Sequence, residues 1–109
     1  MTVKELASVS DFSEVCLPCP DRTIGGVYIG DLLSWVMGKA KSDDAWITIM
    51  SNINVVAVAS LADVSCIFLA EGVTIDDEVK SVASAKGINV LSTALSAYEV
   101  AIRISNLIQ

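Results

Sequence analysis

Hydrophobic residues along this chain occur in two kinds of pattern that alternate from one end to the other. Short continuous runs, of which residues 45–50 (AWITIM) are the clearest, are typical of strands buried on both faces of a sheet. Longer stretches place their apolar residues three or four positions apart, which is the spacing of one helix face. In residues 75–86 this spacing follows Thr74, a suitable N-cap, and precedes Gly87, a residue suited to the position after a helix. The pattern therefore predicts alternating strands and helices.

Five strands and five helices are predicted on this basis. The strands are runs of β-branched, aromatic or aliphatic residues bounded by turn residues, at 13–17, 27–29, 45–50, 65–70 and 88–91. The helices follow residues that can cap them, and these caps are Thr2, Asp31, Ser51 or Asn52, Thr74, and Ser92 or Thr93. The helices themselves cover 3–8, 32–40, 53–64, 75–86 and a final stretch that ends at Leu107.

Residues 53–64 fit two interpretations. Their apolar positions recur at intervals of three and four over about three turns, which favours a helix. The β-branched content of residues 54–58 (NVVAV) suits a strand equally well. We prefer the helix because its period persists along the segment.

Strands that alternate with helices of this length indicate a three-layer α/β/α sandwich around a mostly parallel sheet of four or five strands. In such sheets, ligands bind beyond the carboxyl ends of the strands. Four segments are expected to meet there, namely 16–26, 51–54, 71–74 and 92–93. The predicted ligand-binding residues within them are Arg22, Thr23, Gly25, Gly26, Ser51, Asn52, Ser92 and Thr93.

The composition is that of one globular domain, residues 1–109. Hydrophobic residues make up 53% of the chain and charged residues 18%, which at this length is enough to bury a core. No apolar run approaches the roughly 20 residues that a membrane-spanning helix needs. The first residues also lack the basic and apolar regions of a signal peptide. We therefore expect no membrane attachment and a cytoplasmic location.

The chain is acidic, with a net charge of −6 from 13 acidic and 7 basic residues. The basic residues are scattered and form no stripe that follows a phosphate backbone, so nucleic acid is not an expected partner. The chain contains no histidine, which excludes Ser-His-Asp and Cys-His catalysis and removes the commonest transition-metal ligand. No catalytic residue, metal site or cofactor is predicted.

The segment from Asp21 to Asp31 (DRTIGGVYIGD) combines an arginine with three glycines. It is not a phosphate-binding P-loop, because no Gly-Lys-Ser/Thr follows and Asp31 places a carboxylate where an anion would sit. The glycines either supply positive φ in a turn or let the backbone approach a ligand. Arg22 is the one basic residue of the four segments. It either grips the carboxylate or phosphate of a small anionic metabolite or nucleotide, or pairs with Asp21 or Glu14.

Cys16 and Cys19 form a Cys-x-x-Cys pair. In a redox site such a pair opens a helix whose dipole lowers the pKa of the thiol, but here Pro20 follows and no helix is predicted next. Metal binding would need further ligands, and Cys66 falls within a predicted strand. Two incidental thiols in a reducing compartment are the favoured interpretation, and a redox pair is the alternative.

Tyr28 and Trp35 flank Asp31 and lie away from the main apolar face of the predicted helix. Large aromatic residues outside a core often anchor interfaces, although Trp35 would also fit against the sheet. We predict that both residues contribute to a homodimer contact.

Residues 21–26 (DRTIGG), followed by residues 27–34 (VYIGDLLS), resemble the DRTGG domain, a small domain usually attached to other proteins. Further matches to its stand-alone form from anaerobic bacteria are residues 46–48 (WIT), 52–60 (NINVVAVAS) and 91–93 (LST). The resemblance spans residues 13–108 and so concerns the whole domain. Ile24 interrupts the string that gives the family its name.

The resemblance implies a regulatory or accessory role and no reaction. The family is similar to the non-catalytic N-terminal domain of HPr kinase/phosphorylase, and its stand-alone forms accompany iron hydrogenase and electron-transfer components. We therefore expect a non-catalytic domain that binds a small metabolite, a nucleotide or a partner protein at the strand ends. A homodimer and an electron-transfer protein partner are also expected. The alternatives are a redox accessory that uses Cys16 and Cys19 and a purely structural scaffold subunit.

Overall fold

In the computed structural model, residues 1–108 are described; Gln109, the last residue of the predicted domain, lies outside them. The helices within this range are Val3–Ala7 (α1), Leu33–Lys39 (α2), Asn54–Ala62 (α3), Asp77–Ala85 (α4) and Ala97–Ile108 (α5). The strands are Phe12–Cys16 (β1), Gly26–Ile29 (β2), Asp44–Thr48 (β3), Cys66–Leu69 (β4) and Val90–Thr93 (β5). Each overlaps the element predicted for that part of the chain. None of the helices in residues 1–108 is long and apolar enough to cross a membrane.

The five strands form one sheet in the order β1-β5-β4-β3-β2. Strands β2 to β5 are parallel to one another, and β1 pairs antiparallel with β5 at one edge. Because β2, β3, β4 and β5 are added in chain order, right-handed crossovers carry their connecting helices over the same face of the sheet.

Two hydrophobic cores lie on opposite faces of this sheet. One core joins the strands to α2, α3 and α4 through Val36, Val56 and Val79. The other joins them to α1 and α5 through Leu6 and Ile104. The predicted three-layer sandwich with a mostly parallel sheet is confirmed.

The segment with two interpretations is a helix, as preferred. Neither predicted residue caps it, however, since Ile53 occupies the N-cap position without a side-chain hydrogen bond. Asn52 instead forms a local turn in which its Oδ1 accepts from the N–H of Asn54 at 2.9 Å. The C-cap residue of this helix is Asp63, which adopts a left-handed backbone conformation with φ of 58°.

Asp31 does not cap α2, which corrects the expectation for this residue. Its carboxylate accepts hydrogen bonds from Thr48 Oγ1 at 2.8 Å and from the N–H of Ile49 at 3.0 Å. Leu32 occupies the N-cap position without a side-chain bond. Because β2 and β3 are parallel neighbours that end side by side, the carboxylate after β2 accepts hydrogen bonds from the last residue of β3 and from the residue that follows it.

Of the remaining caps, the one at Thr2 is confirmed and the one at Thr74 is wrong. Thr2 and Glu5 form a reciprocal capping box at the start of α1. Helix α4 begins two residues later than predicted, because Asp76 accepts the N–H of Val79 at 2.9 Å and so takes the capping position.

The prediction that Ser92 or Thr93 opens the last helix is wrong. They belong to β5, which pairs with β4 on one side and β1 on the other. Strand pairing on both sides satisfies the backbone groups that sequence reasoning assigned to a helix start. Ser96 opens α5 instead, and its Oγ accepts the N–H of Glu99 at 3.2 Å.

Candidate functional site

The chain leaves the neighbouring strands β4 and β5 toward opposite faces of the sheet. Strand β4 leads into α4, which packs in the core shared with α2 and α3. Strand β5 leads into α5, which packs in the other core. Where adjacent parallel strands send their connections to opposite faces, the loops diverge and leave a crevice outside the carboxyl ends. In this fold that crevice lies between β4 and β5.

A cleft of about 410 Å³ occupies this position, and we call it the switch-point cleft. Its walls come from residues 72–74, 92–94 and 11–13. The third segment contributes because β1 runs antiparallel to β5, which sets Phe12 opposite Thr93 and Ser13 opposite Ser92. The predicted ligand-binding residues Ser92 and Thr93 therefore both line this cleft.

Backbone hydrogen bonds hold the walls of the switch-point cleft in place. The N–H of Gly72 donates to the carbonyl of Thr93 at 2.9 Å, and the N–H of Glu71 donates to that of Leu95 at 2.8 Å. Glu71 and Gly72 both adopt left-handed conformations, with φ of 59° and 74°. On the other wall, Thr93 Oγ1 donates to the carbonyl of Asp11 at 2.7 Å. The cleft is thus preformed.

The switch-point cleft presents hydroxyl groups and apolar surface. Ser13, Thr74 and Ser92 provide the hydroxyls, and none of the described residues that line the cleft is basic. Its carboxylate, that of Asp11, pairs with Arg103 of α5 at 3.1 Å. Since hydroxyls both donate and accept hydrogen bonds, the cleft suits uncharged polar groups such as those of a sugar.

A second cleft, of about 510 Å³, is bordered by β1 and α4, and we call it the helix cleft. The residues that line it are Cys16 of β1 and Asp77, Lys80, Ser81, Ser84 and Ala85 of α4. The two clefts are neighbours, because both border β1 and because Thr74 of the first precedes Asp77 of the second by three residues. Lys80 is the cation of the helix cleft, whereas the described residues that line the switch-point cleft include none.

Arg22 lies at the amino ends of the parallel strands, whereas the switch-point cleft lies at their carboxyl ends. Because β1 is antiparallel to the other strands, the segment 16–26 that follows it lies at their amino ends. The expectation that this segment meets the other three at the carboxyl ends is therefore wrong. Arg22 contacts the residues that precede β3 and β4, with Nη2 3.0 Å from Oδ1 of Asp43 and 2.8 Å from Oδ1 of Asp63.

These contacts give Arg22 a structural role. The carboxylate of Asp63 accepts hydrogen bonds from Ser42 and from Arg22, and both lower its pKa below the usual aspartate value. Asp43 and Asp63 adopt left-handed conformations, with φ of 70° and 58°. One guanidinium thus ties the β1–β2 loop to the turns before β3 and β4. The ion-pair partners of Arg22 are therefore Asp43 and Asp63, and not Asp21 or Glu14, which the sequence had suggested as the alternative to a ligand.

Thr23, Gly25 and Gly26 also lie at the amino ends of the parallel strands, as Arg22 does. Thr23 forms an isolated bridge to the start of the chain, and the N–H of Gly25 donates to the carbonyl of Asp43 at 2.9 Å. Neither glycine has the positive φ that a turn glycine would need. A Cβ on Gly26 would lie 2.8 Å from Oδ1 of the buried Asp44, so this position needs glycine for close packing.

Ser51 and Asn52 follow β3 at the carboxyl edge, where both are exposed. Strand β4 separates β3 from β5, so these residues lie two strands away from Ser92 and Thr93. The eight predicted ligand-binding residues therefore fall into three places, and two of them line the switch-point cleft.

The three cysteines are free thiols. Cys16 is buried and donates to the carbonyl of Ile88 at 3.7 Å, and burial raises the pKa of its thiol. Burial also raises the pKa of Cys66, to about 12. Cys19 is exposed. A thiol with a raised pKa is a poor nucleophile, so burial leaves Cys16 unactivated.

Metal ligands are not grouped in the described part of the chain. Within residues 1–108 no three His, Cys, Asp or Glu side chains lie close enough together to hold a metal ion.

Trp35 and Tyr28 differ in exposure. Trp35 is 57% exposed, with Lys39 Nζ 4.4 Å from its ring centroid. Tyr28 is partly buried against the core shared by α2, α3 and α4. The homodimer contact expected of both residues stays a prediction.

Four residues that form the Arg22 contacts and the two clefts were not predicted from the sequence, and these are Asp43, Asp63, Ser13 and Lys80. Asp43 and Asp63 carry a signal that was available, because aspartate is enriched where a non-glycine residue adopts a left-handed conformation after a helix or in a turn. Ser13 and Lys80 carry none. Their place in the clefts depends on the antiparallel pairing of β1, which joins distant parts of the chain.

The fold and its cleft define a three-layer α/β domain with a ligand-sized crevice at the switch between two parallel strands. A family model described as the DRTGG domain matches residues 21–107. The chain therefore belongs to the DRTGG domain family, which confirms the resemblance to that domain. Its likeness to the stand-alone form from anaerobic bacteria stays a prediction.

One similar solved structure is the crystal structure of the CBS and DRTGG domains of the regulatory region of Clostridium perfringens pyrophosphatase, complexed with the activator diadenosine tetraphosphate. The two share 15% sequence identity with a TM-score of 0.66, over 90% of this chain. The match covers 46% of that chain, so the present chain corresponds to about half of it. At this identity the likeness establishes the fold. No curated protein matches the chain.

Proposed function

We propose that this chain is a non-catalytic regulatory domain that binds a nucleotide in the switch-point cleft. The observation that carries the proposal is the position of the cleft, a preformed crevice at the point where β4 and β5 send their connections to opposite faces. The related C. perfringens regulatory region, complexed with diadenosine tetraphosphate as an activator, supports a nucleotide as the class of ligand.

The chemistry of the two clefts suggests how a nucleotide would lie. The hydroxyls of Ser13, Thr74 and Ser92 suit the sugar and base, which are uncharged. A phosphate needs a cation, and Lys80 of the adjacent helix cleft supplies one. Arg22 does not serve this purpose, because it lies at the amino ends of the strands, away from the cleft, and is held by two carboxylates. The ligand therefore extends from the switch-point cleft into the helix cleft.

A non-catalytic role is supported by the chemistry of the chain's own groups. The sequence has no histidine, and the pKa values of the buried thiols of Cys16 and Cys66 are raised by burial. Histidine is the commonest general acid–base group, and a thiol with a raised pKa is a poor nucleophile. The same observation weakens the alternative of a redox accessory that uses Cys16 and Cys19.

Other expectations from the sequence stay predictions. These are a single domain over residues 1–109, a cytoplasmic location, similarity to the N-terminal domain of HPr kinase/phosphorylase, a homodimer and an electron-transfer protein partner. A scaffold subunit that binds no ligand is the competing interpretation. It differs from the proposal in that no nucleotide would stabilise the protein.

The test is a thermal-shift and calorimetric titration with AMP, ATP and diadenosine tetraphosphate. A ligand of the native state raises the melting temperature by an amount that grows with its concentration above Kd. We expect at least one of the three to do so. Ser92→Tyr, which fills the switch-point cleft, should abolish the shift, while Ser60→Tyr on the exposed face of α3 should keep it.

The role of Lys80 is tested separately with a matched lysine. Lys80→Ala should weaken binding of ATP about tenfold, the effect of one lost charge-assisted contact. Lys86→Ala removes the same charge from the end of α4 outside the cleft and should leave Kd unchanged. Absence of any shift with all three nucleotides would overturn the proposal and favour the scaffold. Equal losses in Lys80→Ala and Lys86→Ala would contradict the orientation.

A further inference from the structure

Strand β2 leaves one edge of the sheet open. It pairs with β3 in regular register over all four of its residues, and no other strand in residues 1–108 pairs with its outer side. Its sequence, Gly-Val-Tyr-Ile, contains neither a charge nor a proline. Such an edge presents unpaired backbone groups that invite another strand, and native proteins usually protect it.

The opposite edge of the same sheet shows what that protection looks like. Strand β1 carries an irregularity in register between Glu14 and Cys16, and Glu14 is exposed and charged. Pro18 and Pro20 follow directly. Bulges, charges and prolines are the usual devices that block edge pairing. Since β1 has these devices and β2 has none, the two edges have different roles.

Exposed apolar side chains surround the open edge. Ile29 is 49% exposed in β2, and Leu32 and Trp35 of the following helix are 58% and 57% exposed. Ile49, which follows β3, is 47% exposed. Its N–H donates to the carboxylate of Asp31, which lies between Ile29 and Leu32 in the sequence. We call these four side chains, with the backbone of β2, the β2-edge surface. Ile29 alternates with Tyr28 and so points to the face of the sheet opposite α2, which leaves exposed apolar side chains on both faces beside the open edge. Exposed apolar side chains beside an unpaired strand edge indicate an interaction site.

We propose that the β2-edge surface binds the same surface of a second copy of this chain, so that the two sheets join through their β2 strands. In a two-fold dimer the same patch is used on both sides, and the paired edge strands run antiparallel. The apolar side chains flank the strand pair. This inference does not rest on the proposed nucleotide site, because the clefts border β1, β5 and α4 at the other edge.

Charge complementarity identifies a second copy as the occupant. Helix α2 connects the parallel strands β2 and β3, so it runs back along them and brings Lys39 and Lys41 to the amino end of β2. Asp31 lies at the carboxyl end, and its two hydrogen bonds both involve Oδ1. Antiparallel pairing therefore sets Asp31 of each copy toward Lys39 and Lys41 of the other. A chain with a net charge of −6 needs such local compensation to contact itself.

Sedimentation equilibrium measures the proposed association. The wild-type chain of 11.5 kDa should sediment as a dimer of about twice that mass, and dilution should dissociate it. Ile29→Lys places a charge on the open edge and should weaken the dimer at least about tenfold, since every substitution acts twice. Trp35→Ala should also weaken it. Leu61→Lys, on the most exposed part of α3 at 72%, is the control and should leave the dimer intact.

Hydrogen exchange distinguishes strand pairing from contact through α2 alone. The amides of residues 26–30 should exchange more slowly as protein concentration rises, and this protection should vanish in Ile29→Lys. Circular dichroism checks that each variant stays folded. A wild-type monomer at about 100 µM would overturn the inference. A dimer whose β2 amides stay unprotected, or one that Leu61→Lys disrupts as strongly as Ile29→Lys, would do the same.

Discussion

Arg22 Nη2 lies 2.8 Å from Oδ1 of Asp63, and this contact joins parts of the chain that are 41 residues apart. The same nitrogen also reaches Asp43 and the main-chain carbonyl of Asp63. The loop after β1 is thereby fixed to the turns that begin β3 and β4. An arginine that the sequence offered as a ligand-binding group therefore holds the amino edge of the sheet together.

Substitution of Arg22 should cost stability and leave nucleotide binding unchanged. Arg22→Ala removes the hydrogen bonds to both aspartates and to a main-chain carbonyl. We expect a loss of about 1–2 kcal/mol in the free energy of unfolding, a value kept low because both carboxylates are about half exposed or more. Chemical denaturation measures this change. Lys4→Ala, which removes an exposed charge from α1, should change stability little, and a similar loss there would contradict the assignment.

The contribution of Asp63 should depend on pH. Its pKa is lowered in the folded state by the hydrogen bonds from Ser42 and Arg22, so its stabilising effect is present above the unfolded pKa of about 3.9 and is lost as pH falls through the lower folded value. Asp63→Asn keeps a residue that tolerates the left-handed conformation while it removes the charge. The stability difference between wild type and Asp63→Asn should be constant above about pH 5 and shrink below about pH 4.

Denaturant titrations between these pH values provide the measurement for Asp63. Asp21→Asn, at an exposed carboxylate one residue before Arg22, is the control. A difference between wild type and Asp63→Asn that stays constant down to about pH 2 would show that the carboxylate is not stabilised as described.

Two glycines should respond in opposite directions to the same substitution. Gly26→Ala places a Cβ 2.8 Å from the Asp44 carboxylate, whose other oxygen is held by the N–H of Lys41, so stability should fall by about 1–3 kcal/mol. Gly38→Ala lies inside α2 with nothing within 4 Å, so stability should rise by about 0.5–1 kcal/mol. Thermal unfolding of both variants checks the signs, and a stabilised Gly26→Ala would contradict the packing argument.

The thiols should react selectively. In the native protein at about pH 8, iodoacetamide should label exposed Cys19 and spare Cys16 and Cys66, because burial raises the pKa of both thiols. All three should react in guanidinium chloride. Mass spectrometry of peptides counts the labels. Rapid labelling of native Cys16, or a Cys16–Cys19 disulfide that forms and is reduced reversibly near physiological potentials, would revive the redox alternative.

Local pattern was sufficient for the elements and for the fold class. The alternation of buried runs with helically spaced ones located every strand and helix within residues 1–108, and the persistence of the helical period decided residues 53–64 correctly. The string at residues 21–26 and its neighbours indicated the DRTGG domain, which the family match confirms. The positions of the elements and the family motif both depend on residues close together in the chain, so both can be predicted from a single sequence.

What only the tertiary structure decided was the direction of β1. Its side-chain period is the same whether it pairs parallel or antiparallel, and its partner β5 is about 80 residues away in the chain. The antiparallel choice moved Arg22 to the amino ends of the parallel strands and brought Ser13 beside Ser92. It also made Ser92 and Thr93 strand residues, because β5 gained a partner on each side. The sequence by itself therefore determined which elements form, while long-range strand pairing decided which residues share a cleft.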